Sequence, residues 1–295
     1  MENMLSKQSK NEIVTAYTML LPNLVIMAIF IFWPMIYAFY VSLHEWNGLS
    51  KMTFNGFDNY VHLVKDSEFW QSLWITAKYA LFFVPAIFII ALLLAVLVKS
   101  LHGFTQKVFR TSFFLPYAIS LVIGSLVWSF MYDPMHGYIN GILHAIGIGN
   151  QKFLVSITQA IYSVAVVGIW QVVGFNMIIF LASLNDIPIS YYEAAEIDGA
   201  SSVRKFFSIT FPLLKNTNVF IILSTMIGSF QVFDQIKVMT GGGPANSTMV
   251  TVYYIYQHAF QINQLGFATS AAFALFVIIM GLTLVQLKIT ADKDS

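Results

Sequence analysis

Long apolar stretches without charged residues alternate with short polar segments along this chain. About 20 apolar residues are needed for a helix to cross the roughly 30 Å hydrocarbon core of a bilayer. The pattern therefore predicts an all-α membrane protein with six transmembrane helices. The runs, of which only the second is interrupted, by Lys78, cover residues 14–43, 73–98, 111–132, 153–185, 216–233 and 238–287.

The last of these runs is too long for one helix and contains a break near its start. Gly241, Gly242 and Gly243 are followed by Pro244. Glycine and proline both disfavour a continuous helix. We therefore expect the sixth transmembrane helix at about 264–287.

Composition and charge narrow the functional class. Hydrophobic residues make up 58% of the 295 residues and charged residues only 10%, whereas about a quarter of a soluble domain is charged. The formal net charge of +1 argues against a nucleic-acid partner. The absence of cysteine excludes disulfides, thiolate metal sites and a cysteine nucleophile. A lipid bilayer is the expected surrounding of the chain.

Lysine and arginine are distributed unequally between the two sets of loops, and such residues are enriched on the cytoplasmic side. Both termini and the segment between the fourth and fifth helices are therefore expected in the cytoplasm. This predicts a cytoplasmic tail at 1–13, a transmembrane domain at 14–288 and a second tail at 289–295. The richer set is Lys7, Lys10, Lys99, Lys107, Arg110, Arg204, Lys205, Lys215, Lys288 and Lys293, and the opposite set is Lys51, Lys65 and Lys152.

A polar island at 190–212 separates the fourth and fifth predicted helices. Ser190 and Glu193 fit a capping box, which predicts a short helix at 191–198. Gly199 suits the left-handed conformation that ends a helix, while Ala194 and Ala195 give a low-profile face that a partner can approach. Spacing alone leaves open that these residues are only an ordinary cap, ordinary helix formers and an ordinary terminator.

Other motifs argue against catalysis by this chain. The glycine run is followed by Pro244 rather than by the Lys and Ser or Thr that hold phosphate and Mg²⁺. The histidines form no HExxH pair, so a metal site is not expected. No spacing of His, Asp, Glu and Ser indicates a membrane-embedded enzyme. We expect a transporter subunit, not an enzyme.

The polar island resembles the cytoplasmic EAA loop of ABC importer membrane subunits. Its matching residues are Glu193, Ala194, Ala195, Asp198, Gly199, Ala200, Phe206, Ile209 and Pro212. A second match, from Asp234 through Thr240 and the glycine run to Ala245, then Thr248 and Tyr256, is similar to the first permease subunit of maltose- and glycerol-phosphate-type sugar importers. The resemblance covers about 15–288 and implies a type I ABC importer permease fold. The chain lacks the extra N-terminal helices and large outer domain of the maltose subunit.

The resemblance also implies partners. This chain would form half of the translocation pathway with a second permease subunit, as a heterodimer. Two cytoplasmic ABC ATPase subunits would hold ATP and Mg²⁺, an extracytoplasmic protein would deliver the sugar, and this chain would bind no cofactor. Glu193 would face a basic residue in a cleft of the ATPase, and Ala194, Ala195 and Gly199 would pack closely there. Asp198, Ala200, Phe206 and Pro212 complete the expected coupling set.

Candidate sugar contacts lie in the helices on either side of the island. Sugar sites combine aromatic faces with hydrogen-bonding groups. Thr225 and Ser229 share a helix face, although small hydroxyl residues also mediate helix packing in membranes. Lys78 could snorkel to the headgroups or serve transport. The candidates are Trp170, Gln171, Phe175, Asn176, Thr225, Ser229, Phe230 and Gln231.

These expectations describe the permease subunit of an ATP-driven, binding-protein-dependent importer of mono- or oligosaccharides in a bacterial plasma membrane. The main alternative is an ion-coupled secondary sugar transporter. Such a transporter needs ionisable groups inside its spans to bind the coupling ion. Lys78 alone fits that requirement poorly.

Overall fold

The computed structural model describes the backbone of residues 2–291 and the side chains of residues 15–289. Within them a two-stranded antiparallel hairpin pairs β1 (His44–Glu45) with β2 (Thr53–Phe54). Single turns of π-helix lie at Ala28–Phe32, Phe206–Thr210 and Gln257–Gln261, and a 3₁₀ turn at Phe153–Val155. The α-helices are α1 (Glu2–Met27), α2 (Trp33–Ser42), α3 (Asp58–Lys65), α4 (Ser67–Ser100), α5 (Gly103–Ala118), α6 (Leu121–Met131), α7 (Tyr138–Ala145), α8 (Ala160–Asn185), α9 (Ile189–Ile197), α10 (Ser202–Lys205), α11 (Phe211–Leu213), α12 (Lys215–Phe230), α13 (Asp234–Met239), α14 (Thr251–Tyr256) and α15 (Leu265–Ala291).

The described residues contain four helices long and apolar enough to cross a membrane: Thr15–Ser42, Ser67–Ser100, Ala160–Asn185 and Leu265–Ile289. Two further segments pass the same test only as bent pairs of helices. Counting each bent pair as one span gives up to six. The prediction of an all-α membrane protein is confirmed.

The prediction of one continuous helix over 111–132 is wrong. α5 and α6 meet at an angle of 97°, because Ile119 and Ser120 are extended, with ψ of 138° and 129°. Pro116 stands in the last turn of α5 and has no N–H to donate. The fifth predicted span corresponds to α12. It follows the helical segment Ser202–Leu213, and the axes of these two segments meet at an angle of 69°.

The break predicted near the start of the last apolar run is confirmed. α13 ends at Met239, and α15 begins at Leu265, one residue inside the expected 264–287 helix. Between them, the Thr248 hydroxyl donates to the Gly243 carbonyl at 2.7 Å and lies 2.8 Å from the Thr240 hydroxyl. The glycine-rich turn is therefore held by its own side chains.

The chain forms two compact units. One comprises residues up to Lys65 together with Ile255–Ala274, and it contains the hairpin and the first apolar span. Only 6% of the most apolar window of that span is buried. The predicted tail at 1–13 includes the start of α1 at Glu2, but its side chains, like those of 290–295, lie outside the described residues.

The second unit comprises Asp66–Tyr254 and the chain from Leu275 onward. Its core is formed where α4, α8 and α12 pack together. Ala91 and Ala95 of α4 are fully buried, and small side chains of this kind let membrane helices approach closely. The buried cluster is Ala91, Leu92, Ala95, Val98, Met177, Phe180, Leu181, Leu184, Leu214 and Ile221.

Glycines in α8 mark its closest contacts. A Cβ atom at Gly174 would lie only 1.8 Å from the carbonyl oxygen of Phe113 in α5. A Cβ atom at Gly168 would lie 2.7 Å from the Tyr79 hydroxyl oxygen and 2.9 Å from the Gln235 amide nitrogen. α8 is therefore the helix against which the rest of this unit is fitted.

The replacement Gly174→Ala should destabilise the protein. Its new methyl group would overlap backbone of α5, and such overpacking costs about 1–3 kcal/mol or more. Gly281→Ala in α15 is a matched control, because no atom lies within 4 Å of that added Cβ. Thermal unfolding in detergent should show a lower Tm for Gly174→Ala only. An equal Tm for the two variants would contradict the backbone contact.

Candidate functional site: a docking loop and a transmembrane cavity

The helix of the polar island runs from Ile189 to Ile197 rather than over 191–198. The capping-box prediction is wrong, because Pro188 is the residue before the helix and Ser190 already lies inside its first turn. The fixed φ of Pro188, −58°, together with ψ of 134°, lets the helix begin at the next residue. The Glu193 carboxylate is therefore not occupied by capping.

The end of α9 agrees with the prediction for Gly199. Its φ is +71°, in the left-handed region. The Gly199 amide donates to the Glu196 carbonyl at 3.0 Å, and the Ala200 amide to the Ala195 carbonyl at 2.9 Å. This pair of bonds is the Schellman motif. No atom lies within 4 Å of a Cβ added at Gly199, so within this chain backbone conformation alone requires the glycine.

The outer side of the docking loop, which we define as residues 189–201, is available to a partner. Glu193, Ala194, Asp198 and Gly199 are exposed, and Ala195 and Ala200 are partly buried. Among the described residues, no hydrogen bond or ion pair of the Glu193 carboxylate occurs. Ile197, which sequence reasoning missed, is 88% exposed at the tip of the helix. The exposed carboxylate of Glu193 and the exposed side chain of Ile197 together are suited to a protein contact that combines a charge pair with apolar burial.

The inner side of the loop borders a groove of about 890 Å³, lined in part by the ends of α4 and α8. Glu196 forms an ion pair with Lys205 of α10, with 2.6 Å between Oε1 and Nζ. Phe206 packs against the buried cluster of the second unit. Pro212 is exposed within the short helix α11. The predicted coupling residues thus divide between an exposed surface and an anchor in the core.

A cavity of about 320 Å³ lies within the second unit, among α4, α5, α6, α8 and α12. It brings together several predicted sugar contacts from the helices before and after the island. The predicted residues that line it are Gln171, Phe175, Asn176, Thr225 and Gln231. Phe175 stacks on Tyr117, with ring centroids 4.7 Å apart and planes at 14°. The cavity therefore combines an aromatic wall with hydrogen-bonding groups.

Three predicted contacts do not line this cavity. Trp170 packs instead against α6, where its ring lies 5.6 Å from the Trp128 ring and would meet a Cβ atom at Gly124 at 3.2 Å. Ser229 is 1% exposed and donates to the Met226 carbonyl of its own helix. Phe230 is 8% exposed. For Ser229 the geometry agrees with the packing alternative.

Sequence reasoning missed the lining residues Tyr79, Tyr117, Asp234 and Gln235. The Gln235 amide donates to the Tyr79 hydroxyl at 2.9 Å, although the two residues are far apart in sequence. Aromatic and amide side chains in the other helices are a signal that could have indicated Tyr79, Tyr117 and Gln235, but not Asp234. Nothing in the spacing shows that they meet. Asp234 is the only carboxylate of the described lining residues, which include no Lys or Arg.

Gln171 has a second role besides lining the cavity. Its amide donates to the Ile119 carbonyl at 3.2 Å, where the break between α5 and α6 interrupts the helical pattern. An unsatisfied carbonyl in an apolar surrounding is costly. Gln171 therefore stabilises the bend that brings Tyr117 and Leu121 to the cavity.

Lys78, left open by the sequence, is exposed on α4. Its ammonium lies 5.4 Å from the centre of the Trp74 ring. Trp74 is itself 57% exposed. Exposed tryptophan and lysine side chains near the end of a membrane-spanning helix are typical of the membrane interface, which agrees with snorkelling.

The fold is that of a type I ABC importer permease. The chain superposes with a TM-score of 0.83 on a solved bacterial ABC transporter structure involved in the import of the acidic polysaccharide alginate, covering 98% of this chain and 99% of that chain. The two sequences are 24% identical, so the likeness is one of fold.

The chain belongs to the family of binding-protein-dependent transport system inner membrane components, whose model matches residues 79–289. It is 35% identical to a probable ABC transporter permease protein, YurN, of Bacillus subtilis, over 95% of this chain and 97% of that protein. It is 31% identical to the trehalose/maltose transport system permease protein MalF of Thermococcus litoralis, over 97% of each chain. The protein is thus a transporter permease subunit, and the ion-coupled alternative finds no support.

Proposed function

We propose that this protein is the membrane-spanning permease subunit of an ATP-driven importer for neutral sugars in a bacterial plasma membrane. The observation that carries the proposal is the combination, in one unit, of an exposed docking loop and an aromatic and amide-lined cavity. The sugar class is supported by the trehalose/maltose permease and by a probable permease for starch degradation products in Thermoanaerobacterium thermosulfurigenes, which is 31% identical.

Several partners are part of this proposal. A second permease subunit completes the pathway, two cytoplasmic ATPases bind ATP and Mg²⁺, and an extracytoplasmic protein delivers the sugar. The first span is almost unburied within this chain, so its apolar side chains are available to pack against another membrane chain. A similar solved transporter, matched here at the level of fold, was crystallised with a periplasmic protein that holds an alginate pentasaccharide.

The docking loop is proposed to engage the ATPase through Glu193. A carboxylate that is exposed and unpaired in the described chain can meet a basic group without breaking an existing bond. Removing one partner of a buried interfacial charge pair costs about 2–5 kcal/mol. Ile197 would add apolar burial at the same contact.

Glu193→Gln should weaken ATPase binding by about 30-fold or more, because the variant keeps the size of the side chain but loses the charge. Glu196→Gln is the matched control, since Glu196 is paired within the chain with Lys205. ATPase retention during purification of the assembled complex measures the effect. Full retention in Glu193→Gln would remove this residue from the docking contact.

The charge of the cavity favours neutral over anionic solutes. Asp234 is its only carboxylate and no lysine or arginine lines it in the described chain. A phosphate or carboxylate about 4 Å from Asp234 would be repelled by about 4 kcal/mol at an effective dielectric constant near 20.

Phe175→Leu should lower sugar uptake about two- to ten-fold, because a flat aromatic contact worth about 0.5–1.5 kcal/mol is lost. Phe220→Leu on α12 is the control, since Phe220 is 53% exposed and does not line the cavity. Uptake is measured in proteoliposomes with the assembled complex and a panel of neutral and acidic sugars. Normal uptake by Phe175→Leu, or a preference for acidic sugars, would contradict the proposed pathway.

The proposed orientation has both termini and the docking loop in the cytoplasm. Ser50 and Ser201 are both exposed, and the chain has no cysteine of its own. On intact cells, a membrane-impermeant maleimide should label Ser50→Cys but not Ser201→Cys. Labelling of Ser201→Cys from outside would contradict the proposed cytoplasmic location of the docking loop.

A further inference from the structure

α8 ends with a carbonyl that its own helix cannot satisfy. In a continuing helix the Leu184 carbonyl would accept a hydrogen bond from the amide of residue 188, but Pro188 has no N–H. The ammonium of Lys99, in the last turn of α4, donates to this carbonyl at 2.6 Å. A cation is favoured at a helix C-terminus. The contact joins the ends of α4 and α8 just before α9 begins.

The same ammonium also contacts α9, the helix of the docking loop, which we call the docking helix. It lies 5.6 Å from the centre of the Tyr192 ring in α9, within the range of a cation–π interaction. Tyr192 is the one aromatic residue of α9 that is not exposed. Lys99 therefore contacts α8 and α9 together, across the turn at 186–188.

The hydroxyl of Tyr192 provides a second attachment. It lies 2.9 Å from the Thr210 hydroxyl, in a pair where either oxygen can donate. Thr210 is 6% exposed and stands directly before α11, which leads into α12. Through the single side chain of Tyr192, α9 is thus attached both to Lys99 of α4 and to the segment that leads into the fifth span.

We propose that Lys99 and Tyr192 are positioning residues that make α9 move as one body with α4, α8 and α12. The inference rests on the docking function proposed for α9. Without these contacts α9 would lose its attachments to Lys99 of α4 and to Thr210, and movement of a bound ATPase could shift the loop without moving the helices that line the cavity. Both residues are partly buried and line the groove that Glu193 also borders.

Lys99→Met removes the ammonium but keeps most of the stem. In proteoliposomes with the assembled complex, sugar transported per ATP hydrolysed should fall about three-fold or more, as for residues between two coupled sites, while the ATPase stays bound. Lys99→Arg should restore most of the ratio, because a guanidinium can donate to the carbonyl and stack on the ring. Lys107→Met, at an exposed lysine of α5, is the control and should leave the ratio unchanged.

Tyr192→Phe and Thr210→Val each remove one half of the hydroxyl pair. Each should lower the transport ratio, and the double variant should be no worse than the more impaired single variant, because both remove the same contact. Fully additive losses would overturn this attachment. These variants also test the proposal if Lys99→Met fails to assemble.

Spin labels at Ser190→Cys in α9 and Leu97→Cys in α4 test the position of the docking helix directly. In the assembled complex, Lys99→Met should broaden the distribution of distances between the labels. An unchanged distribution overturns the attachment, and a broadened distribution with an unchanged transport ratio overturns its role in coupling. Failure of docking itself is recognised separately, by full ATPase retention in Glu193→Gln.

Discussion

The constraint on which this structure depends is that backbone polar groups in an apolar surrounding must find partners inside the protein. Long charge-free stretches satisfy it by forming helices, and the informative positions are those where a helix stops. At Ile119 the freed carbonyl accepts from Gln171, and at Leu184 it accepts from Lys99. Each partner comes from a different helix. The breaks therefore create tertiary contacts, and these contacts lie beside the cavity and beside the docking loop.

α8 connects these two places. Gln171, Phe175 and Asn176 line the cavity in its middle, and Leu184 lies in its last turn. From Gln171 to Leu184 the helix rises about 20 Å. Gly174 brings its backbone against α5, so the helix has little freedom to rotate independently. A rigid helix that carries cavity residues in its middle and leads into α9 at its end is a direct mechanical connection between the cavity and the proposed ATPase contact.

The docking loop shows why exposure matters as much as sequence spacing. The alanine and glutamate positions form the outward surface, while Tyr192, Thr210 and Phe206 secure the loop from within. An interface of this kind needs a fixed shape before its partner arrives, because ordering a flexible loop on binding lowers affinity. The Schellman turn at Gly199 contributes to that fixed shape.

Hydrophobic runs by themselves determined that the protein is helical and lies in a membrane. The length of each run can be read from the sequence alone and compared with the thickness of the bilayer core. The island's residues likewise indicated an ABC importer subunit, and Gly199 its left-handed turn. The capping-box prediction failed because Pro188, not Ser190, precedes the helix. The straight third span failed because the backbone turns at Ile119 and Ser120, which hydrophobic pattern does not record. Only tertiary structure decided which polar residues meet: Thr225 lines the cavity while Ser229, four residues later, is packed away. Tyr79 with Gln235, and Lys99 with Tyr192, are likewise distant in sequence. Such pairs depend on helix crossings set by side-chain packing between helices, which no single stretch of sequence contains.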